Sequence, residues 1–391
     1  MAPYEPEPMP IATQRYTLDG DAEVESRIGH DQQVIAAAVR DVVPAAHFRA
    51  LVLIGGYARG EGGFRHVVGK PEPYNDYDYY VVVGGMNRGA IQVLKQQLLE
   101  LGHALTERVG VEVDLAVLQA ETLPVAEYSL MHTEMLWGHR VIDGDRGILD
   151  TMPGMPFAGL SLAEFTRLML NRGSLLLMNR KALVTGATRE PEAREQFMKY
   201  LFKAVLACGD ARLAVARQYH PSYTEKVKRL QRMHWAGHRQ FYQQYEEALE
   251  SKFHPDYTQY ATADLEKCLQ QVTELWLETL AHLESVRLGR DAVSWSDYVS
   301  PAVSKGQSAP GLRGLVRNVG VTLRDYGIRE LLTNPRWSLR YPRERLISIL
   351  PVLLCGPGLV HGSNLATTLG LTDGGWHDMT CSYLEQWHRY S

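Results

Sequence analysis

Apolar residues between positions 22 and 120 change period several times, and each change predicts an element. From Val24 to Val43 the positions Ile28, Ile35, Ala38, Val39 and Val42 recur at helical spacing among charged and polar neighbours, which predicts an amphipathic helix stopped near Pro44. Leu51–Ile54 is instead a short continuous apolar run ending at Gly55-Gly56, and Tyr79–Val83 is a second run ending at Gly84-Gly85. Both have the length and punctuation of buried strands. Ala90–Leu101 returns to helical spacing through Ile91, Val93, Leu94, Leu98, Leu99 and Leu101, and Val111–Leu118 is strand-like again. A strand, a crossover helix and a strand in this order predict a unit that covers one face of a sheet. Arg140–Asp145 predicts one further short strand closing in a turn.

Beyond Asp145 the pattern changes character. Thr151–Pro156 gathers two prolines and a glycine and reads as a linker. After it, Leu162–Met178, Glu192–Arg217, Tyr223–Leu249 and Thr262–Leu288 are long stretches of helical period with few breakers. Residues 300–391 hold only short helical pieces, notably Arg343–Leu354, between glycine-rich loops such as 356–374. The expectation is an α+β protein. Residues 1–155 form an α/β domain with a mixed sheet, residues 1–20 being a poorly ordered arm, and residues 156–391 form a mainly α-helical domain. At 391 residues the chain is long enough for two cores.

Charge refines this division. The net charge of −4 is unevenly spread: residues 1–155 carry 12 Lys/Arg against 22 Asp/Glu, and the remainder 29 against 23. An acidic first domain beside a mildly basic second suits a polyphosphate bound with metal ions, and plain pairing of domains accounts for it equally. Neither half is basic enough to mark a nucleic-acid binder, so nucleic acid is not an expected partner. Cys208, Cys268, Cys355 and Cys381 are scattered without a C-x-x-C pair, as in reduced thiols of a cytoplasmic protein. The leading MAPYEPEPMP has neither the basic nor the apolar region of a signal peptide. Leu346–Val360, the most apolar late stretch, is broken by Pro351 and Gly356-Pro357-Gly358 and is too short to span a bilayer. No membrane partner is expected.

The chemistry concentrates in residues 51–83. Gly55 and Gly56 stand where a strand hands over to a turn; lacking Cβ atoms, they let backbone N–H groups approach an anion, and a helix starting there adds its positive end. Phosphate is the expected guest. Asp76 and Asp78 lie two apart at the start of the second strand, so their carboxylates share a face, and a buried pair of acids calls for a cation such as Mg²⁺. Asp114, within the apolar run VEVDLAVL, is a third acid, with Glu112 as its rival two residues earlier.

These residues resemble the pattern of the DNA polymerase β-like nucleotidyltransferase superfamily over roughly positions 50–120, and Gly55–Glu61 is most similar to the corresponding turn of the PII-protein uridylyltransferases. The resemblance implies an N-terminal nucleotidyltransferase domain that transfers a nucleoside monophosphate, most simply AMP from ATP, to an acceptor hydroxyl. It assigns two Mg²⁺ ions to Asp76, Asp78 and Asp114, which are also the catalytic residues. Gly55, Gly56 and Arg59 fall to the nucleotide, and Lys199 and Lys203 become candidate phosphate contacts from the helical domain. By spacing alone those lysines share a face with Asp210 that reads as solvated. Two departures stand out: Gly56 replaces the serine many members carry, and the interval to the aspartates is lengthened by Arg65–Tyr74, an inserted loop. Glu61 reads as an acid favouring the helix start. Tyr219 and Tyr223 read as packing residues, with base stacking the alternative. Two other functions compete: a non-catalytic antitoxin-like or nucleotide-sensing regulator of the same fold, and a ribonuclease of the HEPN type, whose motif the R-x4-H spacing of Arg229/His234 and the R-x5-H spacing of Arg232/His238 resemble.

Overall fold

In the computed structural model, which describes residues 15–67, 69–309, 311–356, 363–371 and 374–390, the first apolar period becomes helix α1 (Ala22–Val42). Asp21 caps it, accepting the N–H groups of Glu23 and Val24, and Val24, Ile28, Ile35 and Val39 form its buried stripe. The apolar runs follow as β1 (Phe48–Leu53), a short α2 (Gly55–Arg59), β2 (Phe64–Val67), β3 (Lys70–Pro73) and β4 (Tyr77–Val83). Helix α3 (Arg88–Val109), β5 (Val113–Gln119), α4 (Leu130–Trp137) and β6 (Arg140–Gly144) complete the region.

Four of these strands form a mixed sheet in the order β5-β4-β1-β6, with β4 and β5 parallel and β1 antiparallel to both its neighbours. The crossover between the parallel pair is α3, as the apolar periods require. Alternation along the strands sorts the side chains into two layers. Leu51, Leu53, Tyr77, Tyr79, Val81, Val113 and Leu115 join the core that α1 and α3 cover, while Ala50, Val52 and Val82 meet Leu123, Met135, Leu149 and Met152 on the opposite face. The first layer contains polar anchors: the Tyr77 hydroxyl donates to Asp31 at 3.0 Å, and that of Tyr79 to Gln32.

Two expectations are corrected here. Arg65–Tyr74 is not a loop: β2 and β3 pair antiparallel from Phe64 opposite Pro73 to Val67 opposite Lys70. A two-stranded ribbon has free edges, so Pro71 and Pro73 cost it little. The supposed arm is ordered from Arg15 onward. Thr17 is buried and bridges Gly62, and the N–H groups of Tyr16 and Thr17 donate to Glu25 at 2.7 and 2.9 Å; residues 1–14 lie outside the described residues.

Contacts divide the chain into two compact units. The first runs to Leu160 and adds His220–Lys228 and Leu249–Asp256; the second holds Ser161–Tyr219, Arg229–Ala248 and Tyr257 onward. The later elements are α5 (Leu162–Thr185), α6 (Pro191–Val215), α7 (Tyr223–Gln231), α8 (His238–Phe253), α9 (Leu265–Leu288), α10 (Trp295–Tyr298), α11 (Gly311–Thr333), α12 (Pro335–Ser338), α13 (Pro342–Leu354), α14 (Ser363–Thr368) and α15 (Trp376–Tyr390). The single helix expected over Tyr223–Leu249 is two, because the chain leaves the helix after Gln231 and turns at Gly237, whose φ of +80° no helix accommodates. In the second unit α5, α6 and α9 pack around Trp276, Leu170 and Leu213, and α13 is buried along nearly its whole length. All four cysteines are free thiols. Among the described residues no helix is long and apolar enough to cross a membrane. The expected glycine-rich loop 356–374 falls partly on residues 357–362 and 372–373, outside the described residues.

Candidate functional site

The turn after β1 is built on two glycines with different needs. Gly55 has φ +75°, and a Cβ built on it would stand 3.2 Å from Oδ2 of Asp78, so the backbone comes close to that carboxylate in a conformation that favours glycine. Gly56 is constrained by closure of the turn. Its carbonyl accepts the Glu61 N–H at 2.8 Å, and a Cβ at 56 would press to 3.0 Å on the Glu61 carbonyl oxygen. That contact is the local reason for glycine where the resemblance leads one to expect serine. The helix that follows has only five residues, so few peptide dipoles align toward an anion at its start.

Parallel pairing of β4 and β5 sets Asp78 opposite Asp114 and Tyr80 opposite Ala116. With strands about 4.8 Å apart, the two carboxylates are neighbours on one face of the sheet. Asp78 is half-buried and Asp114 exposed. The Tyr80 hydroxyl has its pKa raised by burial first and then by the charges of Asp78 and Asp114, so both acids bear on one spot.

Asp76 stands just before β4, half-buried, and the segment leading to it is held by Tyr57. The buried Tyr57 hydroxyl accepts the N–H groups of Tyr74 and Asn75 at 3.0 and 3.1 Å and donates to the Gly63 carbonyl at 2.6 Å. Burial raises its pKa, and the charge of Asp76 adds to the shift. Glu112, like Asp76, stands one residue before the first register pair, Tyr77 with Val113, and is exposed. The acid level with Asp78 is therefore Asp114. Among the described residues no group of three or more His, Cys, Asp and Glu is arranged to hold a metal ion. The Asp78–Asp114 pair still suits Mg²⁺, which is commonly held through one or two carboxylates while water and substrate phosphates fill its other positions.

Arg59 is not a surface residue. Its side chain is 7% exposed and lies between Glu61 (3.8 Å) and Glu134 (3.9 Å). Nor does Glu61 serve the start of α2. It lies past the end of that helix, is buried, and accepts from Ser222 Oγ at 2.7 Å and from the N–H groups of Tyr223 and Thr224 at 3.2 and 3.3 Å, capping α7 within the first unit.

Tyr57 and Ser222 are the supporting residues that sequence reasoning passed over, and Glu61 is one to which it gave another role. Ser222 had a signal, since Ser222-x-x-Glu225 is a capping pattern at a helix start. Lys199 and Lys203 lie on α6 in the second unit. Both are half-buried and Asp210 is buried, so their face is not simply solvated. Tyr219 packs on Phe165 with ring centroids 4.9 Å apart, and the Tyr223 ring lies under the ammonium groups of Lys226 and Lys252 at 4.4 and 4.9 Å. Of the Arg–His pairs, Arg229 donates to the carbonyls of Gln218 and Tyr219, His238 bonds the Leu230 carbonyl, and α7 ends between Arg229 and His234. No protein-family model matches the sequence, and no curated protein matches it either.

Proposed function

We propose that the chain is a Mg²⁺-dependent nucleotidyltransferase that moves a nucleoside monophosphate, foremost AMP from ATP, to a hydroxyl of a small molecule or a protein. The observation that carries this reading is the parallel register of Asp78 and Asp114, with the Gly55 turn against Asp78. The Asp78–Asp114 pair would hold Mg²⁺, with phosphate oxygens and water in its other positions, and the ion would neutralise phosphate charge and make a bound hydroxyl more acidic. The remaining work belongs to the chain itself and is mostly positioning. Gly55 lets main-chain N–H groups approach the phosphates. Tyr57 fixes the approach to Asp76, and Arg59 balances Glu61 and Glu134 beneath the turn. Asp114, the more exposed of the pair, lies on the acceptor side and receives the hydroxyl proton.

The test is pyrophosphate release from ATP with Mg²⁺ and candidate hydroxyl acceptors. Asp78→Asn should lower the rate by at least about 100-fold, and Asp114→Asn should reduce kcat more than nucleotide affinity. Neither change should lower stability, because each relieves like charges facing each other across strands. Wild-type rates in both variants would remove the pair from the reaction. A nucleotide-binding regulator without turnover is the second reading, favoured by Arg59, which is engaged by two carboxylates inside the protein. In that case ATP raises the melting temperature and no pyrophosphate appears.

A further inference from the structure

Helix α11 turns its apolar residues outward. Leu312, Val316 and Leu323 are 76, 64 and 42% exposed, whereas Gly314, Asn318 and Thr322 are buried. At about 100° per residue, Leu312, Val316 and Leu323 fall within about 40° of one another, a single straight ridge. The inward face is held by polar contacts: Asn318 Nδ2 donates to the Leu339 carbonyl at 3.0 Å, and the Thr322 hydroxyl donates to the Ser338 carbonyl at 3.4 Å. Past the kink at Gly327, Ile328 and Leu332 are also 70 and 78% exposed.

Arginines flank this ridge. Arg313, Arg317 and Arg324 fall on one strip beside it, and Arg329 follows the kink. The helix has two acids. Asp325 binds Arg324 in a fork of two 2.8 Å bonds, and Glu330, buried, pairs with Arg345 at 2.6 Å. Arg317 lies over the Tyr341 ring at 5.0 Å. Among the described residues Arg313, Arg317 and Arg329 have no ion pair, so their charge is available to an outside partner.

We propose that α11 docks on an anionic lipid surface, lying in its plane with Leu312, Val316 and Leu323 in the acyl boundary and Arg313 and Arg317 among the headgroups. Charge complementarity selects this occupant. A second copy of α11 would bring one arginine strip against another with no free acid to face it. Shape agrees, because a ridge of protruding side chains enters a fluid bilayer without needing a preformed groove. The lack of a spanning helix bears on crossing a membrane, not on lying along one. The proposal is independent of the nucleotidyltransferase reading.

Flotation of the full chain with vesicles tests it, comparing equal parts phosphatidylcholine and phosphatidylglycerol with phosphatidylcholine alone. Binding to the anionic vesicles should be at least about tenfold stronger and should weaken as salt rises. Leu312→Ser with Val316→Ser should cut it at least about tenfold, and Arg313→Gln with Arg317→Gln should erase the preference for phosphatidylglycerol. Circular dichroism of both variants should match the parent, since the altered side chains are exposed, and melting should fall by no more than the loss of the Arg317–Tyr341 contact allows. The proposal is overturned if the parent fails to float with anionic vesicles at low salt, or if either double variant binds as the parent does. A dimer that Leu312→Ser with Val316→Ser dissolves, in a chain that ignores lipid, overturns it in favour of a second copy.

Discussion

A carboxylate out of water is stable only where donors surround it, and Glu61 meets that condition at the start of α7. It accepts from the hydroxyls of Ser222 and Thr224 and from two main-chain N–H groups, with Arg59 beside it. Glu61→Ala should therefore destabilise the protein by on the order of 2–3 kcal/mol, as a lost cap plus unpaired buried donors. Glu61→Gln, which keeps an acceptor, should cost less; urea unfolding midpoints would rank the two, and equal midpoints for Ala and parent would deny Glu61 this role. Asp78 and Asp114 were legible in the sequence because alternation and strand order are local signals. The work of Glu61 was not, because its partners lie 161 to 163 positions away. Glycine at 56 was visible as a departure, but the carbonyl that enforces it appears only once the turn closes.

Elements show the same division between local and non-local causes. Helices α1, α3, α5, α6 and α9 bury the stripes that their spacing announces, so periodicity found them. The hairpin of β2 and β3 was hidden by its prolines, and the break between α7 and α8 by apolar spacing that carries on to Phe241 and Tyr245 past Gly237. Residues 300–391 resisted reading for a further reason: on α11 the apolar stripe faces out, so the pattern points away from the core. What ties α11 down is chemistry at its middle. Asp325 accepts from Arg324 and from the Tyr390 hydroxyl of α15 at 2.7 Å, and the bonds from Arg324 above all hold its carboxyl down at about 2, below the usual 3.8. A carboxyl whose pKa is lower in the folded state contributes stability above about 4 and loses it as pH falls through about 2. The stability gap between parent and Asp325→Asn should therefore close as the pH drops from about 4 toward about 2. Thermal melts in that window would show it, and a gap independent of pH would mean that the tether owes nothing to charge.

For the molecule as a whole, the decisive fact is that the first unit is assembled from three separate stretches of chain. The linker read at Thr151–Pro156 gives no hint that the chain returns at His220 and again at Leu249, since such returns leave no trace in local composition. A fragment ending at Leu160 would keep the four-stranded sheet but lose Ser222, Tyr223 and Thr224 from Glu61, and His254 from Asp19, which it meets at 3.0 Å, and from the Phe64 ring, 5.3 Å away. That fragment should be digested by protease at least about tenfold faster than the same residues in the whole chain, since each lost contact raises the population of open forms. Equal digestion rates would show that the returning segments are dispensable. The same threading sets a timetable during synthesis. At roughly 5–20 residues per second, the ribosome needs roughly 3–13 s to travel from Leu160 to Thr224, and for that interval the nascent sheet carries Glu61 without the donors it accepts from. The domain that begins first is thus obliged to finish late, and during that wait it is a natural client for chaperones.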